Sequence, residues 1–127
     1  MTPFELIALK QKVGAEYADE VALFVLCHFD AAKRGRCTGQ GYNFISRHLI
    51  QAYYIMAKLK DQARMRVLQL AGDAWRKAGD RPTDAADLTT SEYMAVRAGL
   101  ALYLKTLPKI EVGTYRQASN AAEKLTK

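Results

Sequence analysis

The chain is 127 residues long, the size of one ordinary domain and short of what two independent cores need. Half of it is apolar and a quarter charged, which excludes a disordered chain, and 8 glycines with 3 prolines exclude a collagen-like one. Nineteen basic residues against 13 acidic leave a net charge of +6, and two cysteines are too few for a disulfide framework.

Helix signals open the chain. Thr2-Pro3-Phe4-Glu5 is a capping box with proline at the first helical position. The Thr hydroxyl accepts from the amide three residues on, and the Glu carboxylate reaches back. Phe4, Ile7, Ala8, Ala15, Ala18, Ala22, Val25, Leu26 and Phe29 fall on one broad helical face, with Gly14 as a bend. Val21 to Phe29 is apolar on every side, which places this helix at the centre of a bundle. A buried strand is the alternative for so short a run, disfavoured because the rest of the chain offers no partner strand. The run falls short of the ~20 residues of a membrane span. Glu5, Lys10, Lys12 and Glu16 interrupt the apolar stretch that a secretory signal needs. A cytoplasmic location is therefore expected, with Cys27 and Cys37 as free thiols and Cys27 in the core.

Gly35, Gly39 and Gly41 then break the pattern, Gly35 as a left-handed cap of the preceding helix. A second helix is expected from about Asn43, with Phe44, Ile45, His48, Leu49, Ala52, Ile55, Met56 and Leu59 facing inward. It either runs on or breaks at Lys60-Asp61, where Asp61 caps a third helix carrying Val67, Leu68, Ala71, Ala74, Trp75 and Ala78. Gly79-Asp80-Arg81-Pro82 is a stop. Thr89-Thr90-Ser91-Glu92 is a second capping box, before a helix with Tyr93, Val96, Leu100, Tyr103, Leu104 and Leu107 inside. Pro108 ends it, and Thr114-Tyr115-Arg116-Gln117 reads as a third box before a last helix reaching Leu125. The expectation is an all-α fold, a compact bundle of four to five helices forming one domain over residues 1–127.

The charge is uneven. Residues 1–32 carry 2 basic and 5 acidic side chains, residues 33–81 carry 11 and 3, and residues 82–127 carry 6 and 5. On a helix Arg47, Gln51, Tyr54 and Lys58 share one face, as do Arg66, Gln69, Asp73 and Arg76, while Arg34 and Arg36 sit by the glycine loop. Cations beside an aromatic ring suit nucleic acid: Lys and Arg displace counterions from phosphates, and Tyr can stack on an unpaired base. A plain solvated face is the competing reading. Opposite charge on the first helix and the middle segment also suits head-to-tail association of copies, or pairing within one subunit.

Other constellations are thin. The loop Gly35 to Gly41 precedes a helix N-terminus, where free amides can cradle phosphate, but it lacks the Gly-Lys-Ser/Thr of a nucleotide loop. Cys27, His28, Cys37 and His48 lack zinc-ligand spacing, and His48 belongs on the inner face of its helix. Cys37 with either histidine is the only nucleophile–base pair on offer, and no spacing fixes it. The last two helices resemble a helix-turn-helix in outline, with too long a connection. The expected protein is therefore non-enzymatic, without metal or cofactor. It is an accessory or regulatory protein holding DNA or RNA by phosphates through Arg34, Arg36, Arg47, Lys58, Arg64 and Arg66, with Tyr54 stacking. The alternative is a protein–protein adaptor, inhibitor or assembly subunit using its acidic and basic faces, as a homo-oligomer or inside a larger complex.

Overall fold

A computed structural model describes residues 2–34, 38–81 and 88–126. The all-α expectation holds, with six α-helices among the described residues in place of four to five. They are α1 (Pro3–Lys10), α2 (Ala15–Lys33), α3 (Gly39–Lys58), α4 (Gln62–Gly79), α5 (Thr90–Thr106) and α6 (Val112–Thr126), with a 3₁₀ turn at Leu107–Lys109. Gly35, Arg36 and Cys37 lie outside the described residues, and with them the expected glycine cap and the first three residues of the glycine loop.

The first capping box forms as expected: Thr2 Oγ1 accepts from the Glu5 amide at 3.2 Å, and Glu5 Oε2 accepts from the Thr2 amide at 3.2 Å. Gly14 does more than bend the helix, since it separates α1 from α2 at φ +88°, a conformation that a side chain strains. The short link it ends is extended and pairs with the segment before α6. Val13 N–H donates to Ile110 O at 2.9 Å and Val112 N–H to Gln11 O at 2.8 Å, around an antiparallel bridge between Lys12 and Glu111. That pairing sets where α6 begins. The helix starts at Val112, so Thr114 lies inside it and the expected third capping box does not form.

The middle of the chain makes two helices. Lys60 adopts φ 57°, its amide donates to Ala57 O, and the Asp61 amide donates to Met56 O. These are the two hydrogen bonds of a Schellman ending. Asp61 then caps α4, its Oδ1 accepting from the Arg64 amide at 3.0 Å. α3 itself starts four residues earlier than the sequence suggests, because Thr38 Oγ1 accepts from the Gly41 amide at 3.1 Å and draws the end of the glycine loop into the helix.

α3 is the hub: α2, α4, α5 and α6 all pack on it, α4 also lies along α5, and α1 rests on α6. Among the described residues α2 and α4 do not touch, because α3 and α5 lie between them. Close approach depends on small residues. A Cβ on Gly99 would lie 2.5 Å from Ala71 Cβ, so α4 and α5 meet backbone to backbone there. Ala118 and Ala122 of α6 are fully buried. Trp75, Tyr103, Ile45, Ile55, Met56 and Leu100 are the largest fully buried side chains.

The expectation of a central α2 is corrected. Only Ala18, Val21, Val25, Phe29 and Ala32 are buried, while Leu23, Phe24 and Leu26 are 64%, 59% and 52% exposed. Cys27, expected in the core, is exposed as well. A helix at the rim of a bundle is covered on one side only, so an all-round apolar segment leaves its outer half bare. No described helix is long and apolar enough to cross a membrane.

Candidate functional site

Two polar arrangements in the interior belong to the fold. Tyr103 Oη donates to Gln51 Oε1 at 2.9 Å and lies 2.9 Å from His48 Nδ1. A hydroxyl has one proton, so Tyr103 accepts from His48, and the imidazole is the neutral form protonated on Nδ1. Burial, reinforced by Arg47, lowers the His48 pKa to about 4. Burial raises that of Tyr103. His48 is thus held in the core away from solvent, and His28 is half-buried against the Phe44 ring. Across α3 and α4, Tyr42 and Trp75 stack at 5.0 Å, and Trp75 Nε1 donates to Ser46 Oγ at 3.0 Å. Among the described residues no buried side-chain polar atom is left unbonded. Nor do three His, Cys, Asp or Glu side chains gather at metal-binding distance there.

The expected phosphate-holding residues that the structure describes are spread over the end of α2, α3 and α4, and two of them are engaged by carboxylates. Arg34 follows α2 and pairs with Asp30, Nε to Oδ2 at 3.2 Å. Arg36 lies outside the described residues. Arg47 and Lys58 are exposed on α3, but Gln51 between them is only 3% exposed and Tyr54 packs against the core. The face therefore reads as two cations flanking a covered strip, where the helical wheel suggests a continuous stripe. Arg64 pairs with Asp61 at 3.3 Å. Arg66 is exposed and lines a groove between α3 and α4. The last two helices do not make a helix-turn-helix: among the described residues α5 and α6 do not pack on each other, and α6 lies on α3.

Two surfaces stand out instead. The outer face of α2 carries Glu16, Glu20, Leu23, Cys27 and Asp30 at steps of three and four residues, with Asp19 and Leu26 along one flank and Phe24 on the other. All of these are exposed, and every charge among them is negative. The second is the α3–α4 groove, of about 600 Å³. Tyr53 and Ile50 form its α3 wall, Leu70 and Leu125 stand exposed on its rim, and Arg66 and Arg76 flank it. Arg76 is 3.6 Å from Asp73, in a pair exposed on both sides.

The helical wheel groups Arg66, Gln69, Asp73 and Arg76, and all four line the groove, but the outer face of α2 and the groove's apolar wall were not read as surfaces from the sequence. The signal for the first was present in the run Val21 to Phe29, where apolar residues on every side exceed what one packing face can cover. Comparison with protein-family models, with curated proteins and with solved structures found no match.

Proposed function

We propose that this chain is a protein-interaction module, an adaptor or assembly subunit without chemistry of its own, and that the outer face of α2 is its docking surface. The observation carrying this reading is the exposure of Leu23, Phe24 and Leu26 together on one 19-residue helix among acidic residues. Scattered single apolar side chains are ordinary on a protein surface, but a contiguous set rimmed by charge is typical of a binding patch. At roughly 25 cal/mol per Å² of apolar area removed from water, covering three such side chains stabilises a complex by a few kcal/mol.

The test is the native size of the chain in extracts of cells that make it. Wild type is expected to travel as part of a larger assembly, and Leu23→Asp with Phe24→Asp as a monomer. Co-elution of both as monomers overturns the reading. Because both positions face solvent, the variant should keep its helical circular dichroism and melting temperature.

A second reading is kept by one observation, the exposure of Arg47, Lys58 and Arg66 within a segment that carries the whole charge excess. This is the expected accessory protein holding nucleic acid through phosphates. It calls for a gel shift with unrelated DNA and RNA that is strong at low salt, fades as salt rises and is lost in Arg47→Glu with Lys58→Glu. No shift at low salt removes it.

A further inference from the structure

We infer that the occupant of the α2 face is a second copy of this chain, which presents its α3–α4 groove, so that copies associate head to tail. The inference rests on the interaction reading above and names the partner. Three observations carry it.

The first is charge. The α2 face holds Glu16, Asp19, Glu20 and Asp30, and the groove is flanked by Arg66 and Arg76, with Lys77 beside them on α4. The second is spacing. Glu20 and Asp30 are ten positions apart on α2, as are Arg66 and Arg76 on α4, which on a helix is about 15 Å in both cases. Leu70 lies four positions from Arg66, and Phe24 lies four from Glu20 and Leu26 four from Asp30. An apolar contact therefore falls between two ion pairs whichever way α2 lies in the groove. The helices also match in length, 19 residues against 18. The third is placement. Among the described residues α2 and α4 are kept apart by α3 and α5, so the two surfaces do not satisfy each other within one subunit. They lie on different helices, so one copy can meet two neighbours.

The present partners of these charges do not oppose docking. Asp30 pairs with Arg34 just past the end of α2, and Arg76 with Asp73 on α4, each more than half exposed. Such pairs exchange readily, because solvent screens them. A face that meets a different face is a heterologous contact, which closes into a ring or grows as a filament according to the rotation between copies.

Sedimentation of the purified full chain over a range of concentrations tests this. Wild type is expected to grow in mass with concentration past the dimer, and less so as salt rises. Leu23→Asp on the one face, or Leu70→Asp on the other, should weaken association by at least about tenfold. The decisive sample is an equal mixture of the two variants. Each retains one intact surface, so the mixture should stop at a dimer that neither variant forms alone. A wild type that stays monomeric, or a mixture that fails to pair, overturns the inference. If the purified chain is monomeric while Leu23→Asp with Phe24→Asp still releases it from the assembly in extracts, self-docking fails and the interaction reading stands. If neither experiment shows an assembly, both fail.

Discussion

α2 and α5 are both long helices rich in large apolar residues, yet they end in different surroundings. α5 buries Val96, Gly99, Leu100 and Tyr103 between α4 and α3, and the glycine lets α4 come within backbone distance. α2 is covered along a single row of five residues and leaves Leu23, Phe24 and Leu26 in water. The difference lies in what the neighbours can reach. Small residues facing each other let two helices close, whereas a helix with large side chains on every side can be covered from only one side by a single chain of this size. Apolar content therefore does not by itself place a helix inside. The α4–α5 contact serves the fold, and the outer half of α2 is left for contacts beyond it.

Substitutions on the two sides sharpen that contrast. The largest expected effect comes from the interior network that α5 shares with α3. The His48 pKa falls from 6.5 to about 4 on folding, so the unfolded chain binds the extra proton between those values. The stabilisation is complete above pH 6.5 and declines as the pH falls towards 4, by about 3 kcal/mol in all. His48→Gln keeps a partner for Tyr103 without the titration, so urea unfolding over this range should show a flatter pH profile for the variant. Gly99→Ala comes next. Its Cβ collides with Ala71 and should lower stability by about 2 kcal/mol despite the better helix propensity of alanine, read from the urea midpoint.

Smaller is the ion pair that joins the end of α4 to the first turn of α5. Arg81 donates to Glu92, a side chain that also closes the Thr89 capping box. The hydrogen bond from Arg81 is the main reason that the Glu92 carboxyl lies below its usual range. Arg81→Ala should cost about 1 kcal/mol in the same assay. On the α2 side, Leu23→Asp should leave the unfolding free energy of the monomer nearly unchanged, within about 0.5 kcal/mol, as expected of a residue facing water. A large loss there would mean that α2 belongs to the fold on both sides, and the contrast would collapse.

What was legible in the sequence follows the range of the forces involved. Thr2-Glu5 and Thr89-Glu92 form their boxes because a capping box needs only four neighbouring residues. Asp61 caps α4 for the same reason. Thr114-Gln117 has equally good chemistry and does not cap, because the strand-like pairing of Gln11–Val13 with Ile110–Val112 fixes the helix start from the other end of the chain. The inner faces of α3 and α4 followed from periodicity, including His48, except that Leu59, expected inside, caps the end of α3 and is 53% exposed. The fate of the cations did not, since whether Arg34 or Arg64 stands alone depends on a carboxylate three or four positions away. Likewise Gln51, polar and on the outer side of the wheel, is covered by elements that local pattern cannot place.

Cys27 offers the most direct measurement, because it sits exposed between Leu23 and Asp30 in the middle of the α2 face. In a Cys37→Ser background, its alkylation rate can be followed in intact cells, in concentrated purified protein and in dilute protein. Protection in cells, full reactivity on dilution and full reactivity in Leu23→Asp under every condition are the expected results. A thiol that reacts equally fast in all of these states would mean that nothing covers this face, and the docking role assigned to α2 would be wrong.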